Sequence, residues 1–265
     1  MPVARGLHGP VPFVMAHRGF DLDGLENSMR AFEAAVRLGV DFLETDVRAT
    51  QDGVLLAFHD ATLHRVTDRR GRISQLSWAE VRRARIRGLE PVPRLEEVLA
   101  AWPDVRLNVD LKERGAVAPF VETVRRAGAR DRICVASFSD LRRTEAVRAL
   151  EGEDGGGRGR GGVAWSPGVM GTVRVLAAVR RGPAAVARAL AGAACLQLPP
   201  AVRGRQLVTP ALVDAVHRAG AQVHVWTIDD PDRMRALLDL GVDGIVTNRS
   251  DLALAVLRER GPFVP

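Results

Sequence analysis

Eight short apolar runs, helical stretches with legible ends between them, and a length of 265 residues predict an α/β fold, a closed (β/α)8 (TIM) barrel. The runs are PFVMAH (12–17), FLETDVRA (42–49), RLNVDLK (106–112), ICVASF (133–138), GVAWSP (162–167), CLQL (195–198), QVHVWTI (222–228) and DGIVTN (243–248). An open doubly wound sheet is the alternative with the same alternation. The length suits one core, so residues 1–265 are expected to form a single domain.

After the first run, Asn27 or Ser28 serves as a helix N-cap and Gly39 as the stop. The second run is followed by QDG and then by VLLAFH (54–59), a ninth strand. A parallel neighbour needs a crossover of about a dozen residues, so this strand folds back as a hairpin. Asp52-Gly53 reads as a two-residue type I′ turn. That turn sets Gln51 opposite Val54 and, counting down, His59 opposite Asp46. Residues 61–94 form a small Arg-rich insertion, and EGEDGGGRGRGG (151–162) a flexible loop within the barrel. In the last βα unit, Asp230 caps a helix, Pro231 takes its first position and Gly241 lies past its end.

Composition narrows the function classes. Hydrophobic residues at 46% and charged residues at 26% are ordinary for a globular protein. The formal charge of +6 raises nucleic acid as a partner, but Arg is scattered over nearly every helix and Tyr is absent, so no nucleic-acid partner is expected. Cys134 and Cys195 sit in apolar runs and read as buried and reduced. Neither a signal peptide nor a transmembrane segment is predicted, and the expected location is the cytoplasm.

Strand alternation gathers the chemistry. Glu44 and Asp46 project from one face of their strand, and the hairpin brings His59 beside them. Asn108, Asp110 and Lys112 share a face of RLNVDLK, and His224 and Trp226 share a face of QVHVWT. Clustered carboxylates need a compensating positive charge, from a divalent cation or from Lys and Arg. Oxygen ligands favour Mg²⁺ or Ca²⁺, leaving histidines for proton transfer, and Arg18 with Lys112 suits an anionic substrate, phosphate above all. His8, His64 and His217 read as structural; His224 fits either role, and Gln197 lies on the inward parity of CLQL.

AHRGFDLDGLENS, FLETDVRATQDGVLLAFHD, LNVDLK and VHVWTIDDPDRMRALLDLGVDGIVTN resemble, in order and spacing, the glycerophosphodiester phosphodiesterase family of metal-dependent TIM barrels. The resemblance implies His17 and His59 as the general acid/base pair, with Arg18 as the phosphate-contacting arginine. It implies Glu44, Asp46 and Asp110 as metal ligands, Lys112 as the neutraliser of phosphate charge, and Trp226 as an aromatic lining the glycerol side of the pocket. Glu26 and Asn27 match an EN pair that organises the loop beside the site. Departures from the family pattern are Asp110 for a commoner Glu, Thr45 for Leu, Leu25 for Pro, and TN for TD at 247–248; none removes a catalytic group. The implied reaction converts a small glycerophosphodiester to sn-glycerol 3-phosphate and an alcohol. One histidine activates water or the glycerol 2-hydroxyl, and the other protonates the departing alkoxide. The alternatives are a phospholipase-D-like or lysophospholipid-cleaving phosphodiesterase of the same superfamily, and a non-catalytic phosphate-ligand sensor.

Overall fold

The computed structural model of the chain describes Leu7, residues 9–152 and residues 162–261. Nearly all of the glycine-rich loop, and His8, lie outside the described residues. The barrel strands are β1 (Phe13–His17), β2 (Phe42–Ala49), β4 (Arg106–Leu111), β5 (Ile133–Ala136), β6 (Ala164–Trp165), β7 (Cys195–Leu198), β8 (Gln222–Val225) and β9 (Gly244–Thr247), and β3 (Leu55–Ala57) is the hairpin return. They form one sheet in the order β6-β5-β4-β2-β1-β9-β8-β7, with β3 beside β2. All pairings are parallel except β2 with β3. At the seam the Ala194 N–H donates to the Trp165 carbonyl at 3.0 Å, nearly closing the barrel.

Alternation sorts each strand's side chains. On β1, Val14 and Ala16 pack with Leu43 and Val47 of β2 and with Leu107, Val109 and Leu111 of β4 into the layer beneath the helices. The opposite parity points inward, and its character changes along the barrel axis. At the N-terminal end Phe13, Met15, Phe42, Cys134, Cys195 and Val246 fill an apolar plug; the two cysteines are free thiols, as expected. Toward the C-terminal end the inward positions become His17, Glu44, Asp46 and Asp110. Barrel chemistry collects at that end because the βα loops open there.

Between plug and mouth lies a closed polar layer. The Gln197 amide donates to Asn108 Oδ1 at 2.9 Å and lies 3.2 Å from His224 Nδ1, and His224 Nε2 is 3.0 Å from Gln222 Oε1. His224 is fully buried, and that burial holds its pKa down at about 4. It is therefore a neutral structural residue. The unfolded chain binds a proton near pH 6.5 that the folded chain refuses until about 4, so stability falls as pH drops through that window. Between pH 6.5 and 5 the wild type is expected to lose roughly 2 kcal/mol more than His224→Gln, as read by urea midpoints.

Helix ends follow the predicted signals. The Ser28 hydroxyl accepts from the Ala31 N–H and Gly39 takes the left-handed C-cap at φ 90°. The Asp230 carboxylate accepts from the Arg233 N–H, with Pro231 opening the helix.

The hairpin differs from its prediction by one residue. Val47 pairs with Ala57, Arg48 with Leu56 and Ala49 with Leu55, so Thr50 faces Val54 across a three-residue loop. Of the turn residues only Gly53 has positive φ, at 81°, whereas a type I′ turn needs two. The Asp52 carboxylate is engaged instead, accepting from the Thr50 hydroxyl at 2.6 Å and the Trp78 N–H at 2.9 Å. Phe58, not His59, therefore stands across from Asp46, its N–H donating to the Asp46 carbonyl at 2.8 Å. The insertion closes a second small core, in which Leu25, Leu56, Phe58, Leu63, Ile73 and Ile86 are buried together. Most barrel strands are also shorter than predicted, three of them by two residues or more at the C-terminal end: β5 ends at Ala136, β6 keeps only Ala164 and Trp165, and β8 ends before Trp226.

Candidate active site

The first half of the site is the turn after β1. Arg18 adopts φ 58°, a left-handed conformation uncommon for a residue with a side chain. Its N–H reaches both the backbone carbonyl of Glu44 at 3.0 Å and the Glu44 carboxylate at 3.1 Å. Gly19 follows at φ 86°, where a Cβ would lie 2.7 Å from the Ala31 backbone, so no larger residue fits. The HRG triplet is thus a tight turn that leaves His17 at the end of β1 and swings Arg18 toward the strands beside it.

Asp46 is the hub. It is 1% exposed and lies 2.7 Å from Lys112 Nζ and 3.0 Å from Arg18 Nε, while the Asn27 amide donates to it at 3.3 Å. Burial disfavours its charge, yet Lys112 and Arg18 hold the carboxyl below the usual range. Lys112 also contacts Asp110 Oδ2 at 2.6 Å. Burial would lower the Lys112 ammonium, but the two aspartates push it up. Burial raises the Asp110 carboxyl despite Lys112, and Asp110 Oδ1 is buried without a hydrogen-bond partner. Glu44, buried beside Asp46, is pushed well above the carboxylate range, first by burial and then by the Asp46 charge. Among the described residues, no three His, Cys, Asp or Glu side chains converge as ready-made metal ligands. Lys112 occupies the space between Asp46 and Asp110 instead.

The two histidines are oriented by different partners. His17 Nδ1 lies 2.8 Å from Asn248 Oδ1, and the Asn248 amide nitrogen donates to Asp229 Oδ2 at 2.8 Å. That second bond turns the Asn248 oxygen toward His17, so His17 Nδ1 carries the proton. Nε2 is left with its lone pair, 3.9 Å from Glu44 Oε2. Burial and then the Arg18 charge keep His17 below its usual pKa, hence neutral near pH 7.

His59 contacts Asp60 Oδ1 at 2.6 Å through Nδ1, and Arg48 Nε donates to the His59 carbonyl at 2.8 Å, fixing the segment beyond β3. Burial works against the Asp60 charge, but hydrogen bonds from Arg65 and His59 hold its carboxyl at about 2. Although it is not across from Asp46, His59 is close enough that its charge helps depress the Asp46 carboxyl.

The insertion supplies Arg65, which bridges Glu26 at 2.6 Å and Asp60 at 2.6 Å, while Glu26 also accepts from Arg18 at 2.9 Å. One chain of ion pairs thus runs from His59 to Arg18. Asn27 is locked by the Thr45 hydroxyl, which donates to its Oδ1 at 2.7 Å. Trp226 is half-buried at the mouth, its ring 5.7 Å from the exposed Phe138. The residues brought together are therefore His17, Arg18, Glu44, Asp46, Asp110 and Lys112, with His59 at their edge and Trp226 on the rim. Sequence reasoning gave no role to Asn248, Asp229, Asp60 or Arg65; the legible signals were that TN at 247–248 departs from the family pattern and that His59-Asp60 and Thr247-Asn248 follow strand ends.

A family model described as the glycerophosphoryl diester phosphodiesterase family matches residues 17–252. A Mycobacterium tuberculosis protein named "Probable glycerophosphodiester phosphodiesterase 2" is 42% identical over 251 residues, 94% of this chain and 92% of the relative. The Arabidopsis thaliana glycerophosphodiester phosphodiesterase GDPD4 is 28% identical over 91% of this chain and 72% of its own length. The crystal structure of a glycerophosphodiester phosphodiesterase from Agrobacterium tumefaciens, 26% identical, superposes with a TM-score of 0.73 over 93% of this chain and 99% of that one. With a family match across the whole site and a 42% identical relative aligned nearly end to end, the chain belongs to the glycerophosphoryl diester phosphodiesterase family and is a phosphoric diester hydrolase.

Proposed function

We propose that the chain cleaves small glycerophosphodiesters to sn-glycerol 3-phosphate and an alcohol, using His17 and His59 as its proton-transfer pair. The observation that carries this reading is the Asp46 hub, which gathers Lys112 and Arg18 within electrostatic reach of both histidines. Two cations there stabilise the charge that develops on phosphoryl oxygens, usually the largest catalytic contribution. His17, neutral with its Nε2 lone pair free, is suited to take a proton from the nucleophile. His59, its Nδ1 held by the ionised Asp60, is suited to deliver a proton from Nε2 to the departing alkoxide.

We extend the proposal to a divalent cation, Mg²⁺ or Ca²⁺, held by Glu44, Asp46 and Asp110. Two features of the carboxylates support the fit. Asp110 Oδ1 is buried with no partner, and Glu44 is raised by burial beside a second carboxylate, so Lys112 and Arg18 leave part of the cluster's charge uncompensated. The donors are all oxygen, as hard cations require. When bound, the cation polarises the phosphate as a Lewis acid. With the cation on the aspartates, the Lys112 ammonium would be available to neutralise phosphate charge.

Release of sn-glycerol 3-phosphate from glycerophosphocholine, glycerophosphoethanolamine and glycerophosphoglycerol, with and without EDTA, tests the reading. Hydrolysis of at least one, abolished by EDTA and restored by Mg²⁺ or Ca²⁺, is expected; no release from any of them sinks it. Asn248→Leu, which removes the acceptor that sets the His17 tautomer, is expected to lower kcat about tenfold with KM little changed. Steady-state kinetics on the best diester checks this, and Asn248→Asp, which keeps an acceptor, is expected to retain most of the rate.

A further inference from the structure

Among the described residues, eight large apolar side chains are exposed. Six of them, Phe138, Leu141, Val169, Met170, Val173 and Val202, lie on the segments that leave β5, β6 and β7. Those strands are neighbours across the barrel seam, so the segments adjoin one another on the mouth face. The arrangement is built. The Val169 N–H donates to the Phe138 carbonyl at 3.1 Å, and the Asp140 carboxylate accepts from the Gly168 and Gly171 N–H groups at 3.0 and 3.1 Å. A Cβ on either glycine would lie 2.7 Å from an Asp140 atom, which leaves no slack between the two segments. Val169, Met170 and Val173 occupy one face of the helix Val169–Ala178. Phe138 joins the patch to the active site, its ring lying beneath Lys112 Nζ at 5.5 Å and beside Trp226.

The polar neighbours of this patch are cationic. Arg174, one turn after Met170, and Arg203 and Arg205, in the hairpin that carries Val202, are exposed and make no ion pair among the described residues. Of the acidic groups on these segments, Asp140 is turned inward onto backbone N–H groups and Arg143, and Glu145 is paired with Arg114 at 2.8 Å. Apolar side chains on projecting segments, flanked by unpaired guanidinium groups, match a surface that offers hydrocarbon beneath an anionic layer. We propose that this sector of the rim docks the enzyme onto an anionic lipid surface, with the catalytic mouth at the edge of the contact.

The test is co-sedimentation of the full chain with vesicles of phosphatidylcholine alone or of phosphatidylcholine and phosphatidylglycerol in equal parts. Two variants are compared, Leu141→Ser/Met170→Ser/Val173→Ser and Arg203→Glu/Arg205→Glu, with thermal melts and hydrolysis of a soluble diester showing that each is folded. The expected result is binding to the mixed vesicles, weakened by salt and reduced about tenfold in both variants. A wild-type chain that stays in the supernatant, or variants that sediment like the wild type, would overturn the proposal. So would concentration-dependent self-association removed by the apolar variant, which assigns the patch to a second copy of the chain.

Discussion

Lys112→Met is expected to destabilise the fold by about 3 to 5 kcal/mol near pH 7, since it leaves Asp46 and Asp110 buried with their shared cation gone. For a chain of this size that corresponds to a fall in Tm of roughly 10 °C. The pH dependence has a definite sign. The folded Asp46 carboxyl sits below its ordinary 3.8, so its stabilising contribution is present above that pH and lost as pH falls through the folded value. The folded Lys112 ammonium sits above its ordinary 10.5, so its contribution is present below that pH and lost as pH rises through the folded value. The gap between wild type and variant is therefore widest between those limits and closes on strong acidification, which thermal melts across pH would reveal. A gap that is flat with pH would mean that Lys112 acts by packing alone.

His17→Ala and His59→Ala are each expected to lower kcat/KM on the best diester by about 10² to 10⁴, with little change in Tm. Both rings are partly exposed at the mouth, with side-chain exposures of 20% for His17 and 34% for His59, so catalysis and stability separate at these two positions, unlike at Lys112. The variants differ in their pH–rate profiles. His17→Ala should lose the acid-side limb, because the base that must be deprotonated is gone, and His59→Ala the alkaline limb. Steady-state rates across pH decide the assignment of base and acid, and a reversed pattern of limbs would exchange the two roles.

Much of this architecture was legible in strand parity. Parity put Glu44, Asp46, His17 and Asp110 on inward faces of neighbouring strands, and the structure supplies the register, pairing His17 with Glu44 and Asp46 with Asp110. The caps at Ser28 and Asp230 were legible because each needs only a local hydrogen bond. The hairpin register was not. Asp52-Gly53 is compatible with two turns, and the choice was made by the Trp78 N–H, 26 residues away, which takes up the Asp52 carboxylate. His59 reaches the site because Arg48 grips its carbonyl and Asp60 its ring, contacts that no strand periodicity encodes.

The same limit hid the partners of the catalytic pair. Asn248 and Asp229 meet His17 only when β9 closes beside β1, a separation of 231 residues between His17 and Asn248. Arg65 looked like one arginine among many in a basic insertion, yet it holds Glu26 and Asp60 together. His224 had the parity of a site residue but lies one layer too deep, inside the polar floor made with Gln197 and Asn108. Parity reports which way a side chain points and says nothing of how far along the barrel axis it sits.

The proposed carboxylate centre is tested most directly by calorimetric titration of Mg²⁺ and Ca²⁺ into the metal-stripped chain and its Asp110→Ala variant. One cation bound per wild-type chain, and about tenfold more weakly by the variant, is the expected result. Absence of binding to the wild type, or equal affinity in both proteins, would contradict a cation held by Glu44, Asp46 and Asp110.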